Sequence, residues 1–233
     1  MAKDLQPEEE AVARAIELDI IFGRLGPGER LREESIARDK DVSRHHVRSA
    51  LMILERAGIV TRERNKGAQV RAYTASEVRQ LYDVREMLTR QAALKIPLPA
   101  STSEIMMVQA LQEKYEAAID RHDLPEIHAC NDAFHVGFFS LCRNPHLVEM
   151  LKRAMDMTYV IRAADMSNTD RLIAARDEHR AMIQLLGGTD SWALSELCVQ
   201  HLRPSMRHYL NRLETEAREN AQDDRPSQPG QAS

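Results

Sequence analysis

Three histidines and one asparagine in the second half of the chain have the residue types and the spacing of a metal site. Asn131 and His135 are four residues apart, so on a helix their side chains leave the same face. His179 lies about seven residues before a turn at residues 187–190, and His201 about ten residues after it. The turn folds the two helices back to back, and at ~1.5 Å of rise per residue both histidines reach nearly the same level. One amide oxygen and three imidazoles could therefore converge, a donor set that suits Zn²⁺, with Ni²⁺, Mn²⁺ or Fe²⁺ as alternatives.

Helices must position these ligands, because the second half of the chain carries apolar residues at helical spacings throughout. The first of these helices is predicted to begin at Ser76 and the last to end near Ala217. We expect an all-helical bundle of six to seven helices over residues 78–218, preceded by a short linker at residues 73–77. The composition near the C-terminus, rich in Asp, Arg, Ser, Gln, Pro and Gly, predicts a disordered tail over residues 219–233.

A second segment, residues 41–51, offers hydrogen-bond donors on a helix that has one apolar face. Ser43 is placed to cap this helix by accepting from backbone N–H groups two or three residues on. Apolar residues then recur at i, i+3, i+4 and i+7 and are expected to face a core: Val47, Ala50, Leu51 and Leu54. Such a helix suits the DNA-reading position of a helix-turn-helix. Together with Ser43, its DNA-contact candidates are Arg44, His45, His46 and Arg48.

The flanking sequence favours a winged helix-turn-helix over residues 1–72. Upstream, a short helical run at residues 33–38 is separated from Ser43 by only a few residues, which suits a tight helix-turn-helix. Downstream, Gly58 ends the helix, and two short strands flank a hairpin turn at residues 65–67. This hairpin is the predicted wing, with basic residues near its tip. It adds three DNA-contact candidates: Arg62, Lys66 and Gly67.

Charge is distributed unevenly along the chain. The formal net charge is −4, which alone argues against nucleic acid as a partner. Residues 40–71 nevertheless contain eight Lys and Arg against three Asp and Glu, whereas residues 73–233 contain eighteen against twenty-three. A basic patch on an acidic protein is the electrostatic footprint expected of a DNA-binding module.

Cysteine usage and hydropathy favour a cytoplasmic protein. Cys130, Cys142 and Cys198 are odd in number and show no CxxC spacing, which suits free thiols in a reducing cytosol. No signal peptide is recognisable, and no apolar run approaches the ~18 residues that a membrane span needs. We therefore expect no membrane contact.

The first third of the chain resembles the GntR superfamily of bacterial transcription regulators. The matching pattern is spread over about sixty residues and includes residues 23–28, 42–44, 47–48 and 67–70. The resemblance implies that Arg44 and Arg48 contact DNA directly, and that the tip of the wing enters the minor groove.

The remainder of the chain resembles the FadR C-terminal ligand-binding domain, FCD, which would place the protein in the FadR subfamily. The resemblance is carried by residues 84–88, 131–135, 144–147 and 178–183. It implies that a divalent metal has four protein ligands and keeps open positions for a small organic acid. Those ligands would be Asn131, His135, His179 and His201. Arg85 could contact the carboxylate of the same acid.

Three functions fit these features. An effector-responsive repressor would bind a palindromic operator in double-stranded DNA as a homodimer, because two-fold protein symmetry matches two half-sites. A metalloenzyme would need a general base beside the open metal position. The candidate base, Glu178, is adjacent to His179 in the sequence and should face away from that histidine. A metal sensor without an organic effector would need a shell filled by protein ligands. We expect the first of these functions and no enzymatic activity.

Overall fold

The computed structural model describes residues 7–63, 67–163 and 168–223. Within these ranges the chain is mainly helical, with one small sheet in its N-terminal part. That part is a winged helix-turn-helix, as the sequence predicts. Its elements in chain order are α1 (Pro7–Ile21), β1 (Arg30–Leu31), α2 (Glu33–Asp39), α3 (Arg44–Arg56), β2 (Val60–Glu63) and β3 (Gly67–Val70).

Helix α3 has the cap and the apolar face predicted for it. The Ser43 hydroxyl accepts a hydrogen bond from the backbone N–H of His46 at 3.2 Å, which satisfies one of the free donors at the start of the helix. The predicted apolar face is buried: Val47, Ala50, Leu51 and Leu54. The chain leaves the helix through Gly58, whose φ of +73° is a left-handed conformation that glycine adopts at little cost.

The predicted wing is an antiparallel hairpin of β2 and β3, in which Arg62 lies opposite Ala68. Strand β1 pairs with the other edge of β3, where Arg30 lies opposite Gln69, so the sheet order is β1-β3-β2. Sequence patterning did not predict this two-residue strand. The turn of the wing, residues 64–66, lies outside the described residues.

The C-terminal part is an all-helical bundle, in agreement with the predicted architecture. The described residues contribute seven helices to it, one of which is very short. The helices in chain order are α4 (Ala75–Leu94), α5 (Thr102–Asp120), α6 (Leu124–Ser140), α7 (Pro145–Met157), α8 (Tyr159–Ala163), α9 (Thr169–Leu186) and α10 (Ser191–Asp223).

The start of α4 and the end of α7 differ from the sequence prediction. Helix α4 begins one residue earlier, at Ala75, because the Thr74 hydroxyl and the Glu77 carboxylate form a capping box. The helix predicted to run to about residue 166 is divided into α7 and α8 at Thr158. The Thr158 hydroxyl donates to the carbonyl oxygens of the preceding turn at 2.9 and 3.1 Å, an arrangement that bends or interrupts helices.

The predicted linker is short and tightly packed. Tyr73 is buried, its backbone N–H donates to the Tyr209 hydroxyl at 3.3 Å, and its own hydroxyl donates to the Met157 carbonyl at 2.5 Å. The linker therefore ties the N-terminal domain to both α7 and α10.

The last helix is longer than predicted. Helix α10 ends at Asp223, so residues 219–223 are helical, because neither proline nor glycine occurs there to stop the helix. The rest of the predicted tail, residues 224–233, lies outside the described residues. None of the described helices combines the length and the apolar character of a membrane span.

One of the hydrophobic clusters contains residues of both domains. Buried residues of α1 and α3, such as Ile16 and Leu51, belong to the same apolar cluster as three residues of α8. Those three residues are Tyr159, Val160 and Ala163. Helix α8 thus packs against the DNA-binding domain, together with residues of α5 and α6 such as Ala118 and Ile127.

Candidate metal centre and DNA-binding face

The three predicted histidine ligands meet inside the bundle. His135 comes from α6, His179 from α9 and His201 from α10, and all three are buried. The Nε2 atom of His201 lies 3.3 Å from Nε2 of His179 and 3.3 Å from Nε2 of His135. Tetrahedral coordination at ~2.0–2.1 Å separates neighbouring ligand nitrogens by about 3.3 Å. The spacing of the imidazoles therefore fits one shared metal ion.

Two outer contacts fix the tautomers of two of these histidines, His179 and His201. Nδ1 of His179 donates to the Gln112 side-chain oxygen at 3.1 Å, and Nδ1 of His201 donates to the Glu178 carboxylate at 2.5 Å. Since Nδ1 carries the proton in both rings, each Nε2 presents a lone pair to the centre of the cluster. Facing lone pairs repel one another unless a cation lies between them, so the donor set fits a metal ion.

The histidines are held in the neutral form that a metal requires. Burial lowers the pKa of His135 and of His179 well below the usual value, and the neighbouring imidazoles add to the effect. Burial also lowers the pKa of His201, although the Glu178 carboxylate opposes that shift. Burial alone would raise the pKa of Glu178, but hydrogen bonds from His201 and Arg171 outweigh it and leave that pKa lowered.

A cavity of about 70 Å³ lies beside the cluster. Asn131, the fourth predicted ligand, lies in its wall with His135 and His201, and the Asn131 amide nitrogen donates to Asp132 at 3.4 Å. Apolar side chains, among them Ile127 and Leu172, complete much of the lining. The cavity therefore offers a partly apolar space directly next to the candidate metal position.

Arg85, the predicted effector contact, lies in the wall of this cavity and is only 4% exposed. Its guanidinium donates to the Thr158 hydroxyl at 3.2 Å and lies over the Tyr82 ring, while its Nε has no acceptor. Among the described residues no carboxylate forms an ion pair with it. Burial lowers the pKa of Arg85 to about 10, which indicates a cation without full compensation.

Two further arginines line the cavity, and each is already neutralised. Arg162 of α8 forms a bidentate pair with Asp132 at 2.7 and 3.3 Å. Burial would raise the pKa of Asp132, but the attraction of Arg162 prevails and lowers it to about 2. Arg171 of α9 pairs with Glu178 at 3.2 Å. Because Glu178 is occupied by Arg171 and His201, it is poorly placed to act as a general base.

On the DNA-binding face, two of the three arginines of α3 are exposed but paired with carboxylates of α2. The Arg48 guanidinium contacts both carboxylate oxygens of Glu33, at 3.3 and 2.9 Å, and Arg44 pairs with Glu34 at 2.8 Å. The hydrogen bond and the charge of Arg48 hold the pKa of Glu33 below its usual value. The helix-turn-helix thus orients Arg48 through a side-chain fork, an arrangement that sequence patterning did not predict.

The two predicted histidines of α3 point toward α1. His45 is largely exposed, with Nε2 3.9 Å from the Glu9 carboxylate. His46 is half-buried, with Nδ1 3.3 Å from the Glu8 carboxylate. Contacts of either histidine with DNA remain predictions.

The wing contributes fewer described contacts. The Arg62 guanidinium turns back toward α3, where it donates to the backbone carbonyl of Arg48 at 3.2 Å and lies 3.5 Å from Glu55. Gly67 begins β3 with a left-handed φ of +81°. Lys66 lies outside the described residues.

Sequence analysis missed Gln112, which contacts His179, and the ion pair of Arg162 with Asp132 beside the cavity. It also placed Glu178 correctly away from His179 but did not foresee its bond to His201. The missing signal was the identity of the neighbouring helix, because Gln112 lies on α5 and Arg162 on α8. The only signal in the sequence was a polar residue, glutamine or arginine, at a position on the predicted buried face of a helix.

Comparison with known proteins identifies both domains. The family described as bacterial regulatory proteins, gntR family, matches residues 8–70, and the FCD domain family matches residues 80–204. The chain is 26% identical over 202 residues to the HTH-type transcriptional regulator YdhC of Bacillus subtilis (strain 168), covering 86% of this chain and 90% of that protein. It is 22% identical over 201 residues to the HTH-type transcriptional repressor RspR of Escherichia coli (strain K12), covering 85% and 87%.

A solved structure shows the same fold. A transcriptional regulator GntR from Rhodococcus sp. RHA1 superimposes with a TM-score of 0.61 at 22% identity, covering 88% of this chain and 99% of that chain. The family matches span most of the winged helix-turn-helix and most of the helical bundle. The chain therefore belongs to the gntR family of bacterial regulatory proteins, carries an FCD domain, and is a DNA-binding transcription regulator rather than an enzyme.

Proposed function

We propose that this regulator senses a small organic acid at a metal ion held by His135, His179, His201 and Asn131. The observation that carries the proposal is Arg85, a buried cation without a described carboxylate partner, in the wall of the cavity that those ligands border. A bound divalent ion, Zn²⁺ first, would supply positive charge and open coordination positions for a carboxylate. Arg85 would then bind the same acid through a charge-assisted hydrogen bond.

The size of the cavity limits the acid. A water molecule needs ~10–15 Å³ of such volume, so a cavity of about 70 Å³ holds roughly five water-sized groups. This favours an acid of about two to four carbons over a sugar acid or a fatty acid. The apolar lining by Ile127 and Leu172 favours a short carbon chain between or beside the polar groups.

The described contacts provide a route from the acid to the DNA-binding domain. Arg162 lines the cavity and binds Asp132, the neighbour of the predicted ligand Asn131. The same short helix packs Tyr159 and Val160 into the core that contains α1 and α3. An acid that favours one position of α8 would therefore favour one placement of the DNA-binding domain.

We further infer that the protein acts in the cytoplasm as a homodimeric repressor of a palindromic operator. The name of the relative RspR describes a repressor, and two-fold symmetry would present two copies of α3 to two half-sites. Size-exclusion chromatography with light scattering tests the dimer, and footprinting on selected DNA tests the palindrome.

A thermal-shift screen of acids with two to four carbons, with and without Zn²⁺ and a chelator, tests the sensing proposal. We expect an acid to raise the melting temperature only in the presence of metal. Arg85→Met should abolish the shift by the acid while leaving zinc content, measured by elemental analysis, unchanged. Arg79→Met on the exposed face of α4 is the matched control.

The outcomes separate the alternatives. Zinc binding with no response to any acid would overturn the organic effector and favour a metal sensor. Failure of His179→Ala to lower the zinc content of dialysed protein would overturn the metal site itself. A shift by acids in chelated protein would show an effector site that does not use metal.

A further inference from the structure

We propose that Arg30 and Arg32 bind the DNA backbone, whereas Arg48 is reserved for base edges. This division of labour concerns DNA binding alone and does not depend on a metal or an effector. Neither Arg30 nor Arg32 belongs to α3, the recognition helix, or to the wing hairpin. They therefore lie outside the two elements that usually contact DNA in a winged helix-turn-helix.

The two arginines border a surface groove between the recognition helix and the wing. The groove measures about 300 Å³, and its lining includes Arg30, Arg32, Arg44 and Gly67. Two carboxylates also line it, Glu33 and Glu34, and each is paired with an arginine of α3. Leu31, between the two arginines, is only 4% exposed and anchors them to the domain core. Arg32 continues the extended backbone of β1, with φ −80° and ψ 114°, so both arginines leave the same side of the strand.

The location of the groove points to phosphate as the occupant. In a winged helix-turn-helix, α3 enters the major groove and the wing reaches the neighbouring minor groove. One sugar–phosphate strand separates those two grooves of the DNA. The strand must pass between the start of α3, at Arg44, and the start of β3, at Gly67, where the protein groove lies.

Arg48 differs from Arg30 and Arg32 in its ion pairing. Arg48 uses its Nε and one Nη to hold Glu33, which leaves the end of the guanidinium free for a bidentate contact with a base. By contrast, the described part of the chain places no carboxylate in an ion pair with Arg30 or Arg32. Both are exposed, so the two guanidiniums are accessible to a phosphate.

This difference has a measurable consequence. A cation that neutralises a phosphate releases condensed counterions, so each such contact contributes about −0.9 to the slope of log K against log salt concentration. Arg48 and Glu33 together carry no net charge, so the intact pair should release few condensed counterions when it meets DNA. Arg30 and Arg32 should therefore dominate the salt dependence.

Fluorescence anisotropy with a labelled 30-base-pair duplex of random sequence, titrated at ~50–200 mM KCl, tests the proposal without knowledge of the operator. We expect the double variant Arg30→Ala/Arg32→Ala to reduce the magnitude of the slope by about two per bound chain. At ~0.1 M salt its affinity should fall by about tenfold for each arginine removed. The melting temperature should stay unchanged, since both side chains are exposed.

Arg14→Ala is the matched control, because Arg14 of α1 is exposed, lies outside the groove and, like Arg30 and Arg32, is in no ion pair among the described residues. Its slope should equal that of the unmodified protein. A folded double variant with an unchanged slope would overturn the proposal. A loss of slope in Arg14→Ala equal to that for each groove arginine would also overturn it, because the effect would then be one of overall charge.

Discussion

Nδ1 of His201 lies 2.5 Å from the Glu178 carboxylate. Glu178 is adjacent to the predicted ligand His179 in the sequence, but the ligand that it orients is His201. The contact joins α9 to α10 directly behind the cluster. Arg171 holds Glu178 from the other side, at 3.2 Å. The carboxylate thus cannot rotate away from the imidazole without losing an ion pair.

Glu178→Gln should weaken zinc binding by about 10- to 100-fold, the usual effect of removing an outer carboxylate. The amide can still accept from Nδ1 of His201, but it lacks the charge that makes the imidazole more basic. Competition with a chromogenic chelator measures the affinity. Asp177→Asn, at an exposed neighbouring position, should leave it unchanged. Equal affinities of the Glu178 variant and the unmodified protein would contradict this role.

The elements that the sequence could predict are those set by local periodicity. The spacing of Val47, Ala50 and Leu51 defines a helix face, and residues 187–190 define a turn that brings His179 level with His201. Such relationships depend on rise per residue and on side-chain direction, both of which are fixed by backbone geometry.

The features that could not be predicted depend on how distant helices rotate against one another. Gln112 reaches His179 from α5, and Glu33 reaches Arg48 from α2, across contacts that no spacing along the chain specifies. The break between α7 and α8 at Thr158 could not be predicted either, because the flanking residues continue a helical pattern. A threonine hydroxyl within a helix can bond to the preceding turn or point to solvent, and the sequence does not distinguish the two.

Val160→Ala should weaken the effect of acid binding on the affinity for DNA. The Val160 side chain is 4% exposed in the core shared by the two domains, and its truncation loosens the contact between α8 and α1. We expect zinc and acid binding to persist, while the ratio of DNA affinities with and without ligand moves toward one. Fluorescence anisotropy on DNA selected from a random library, in the presence and absence of Zn²⁺ and acid, measures that ratio.

Val108→Ala is the control for this prediction. Val108 is fully buried in the separate apolar cluster of the bundle, so the same truncation should destabilise the protein without altering the ratio. If both variants change the ratio equally, loss of stability rather than lost contact explains the result, and α8 has no special part in transmission.

His128 should make the protein less stable in acid. Burial lowers the pKa of His128 to about 4, although Asp132 nearby opposes the shift. The unfolded chain, with a histidine pKa of ~6.5, binds this proton before the folded chain does, so the free energy of unfolding falls as pH drops from about 6.5 toward about 4. The loss attributable to His128 between pH 7.5 and pH 5 is about 2 kcal/mol.

Urea unfolding at pH 7.5 and pH 5 measures the effect. His128→Phe, which can keep the edge-on packing against Tyr159 at 4.5 Å, should reduce the loss of stability between the two pH values. His146→Phe, at an exposed position of α7, should not. An undiminished loss in the His128 variant would show that other groups cause the acid sensitivity.

Arg48→Ala should remove sequence preference more than affinity for DNA in general. If the free end of the guanidinium reads a base, its loss costs about 1–3 kcal/mol on the preferred site. On random duplex the loss should be smaller than on the preferred site, and it should nearly vanish in Arg48→Ala/Glu33→Gln, which removes both charges of the pair. Parallel gel-shift titrations on a selected operator and on random duplex give the two affinities. Their ratio should fall about 5- to 100-fold, whereas an equal loss on both DNAs would assign Arg48 to the backbone instead.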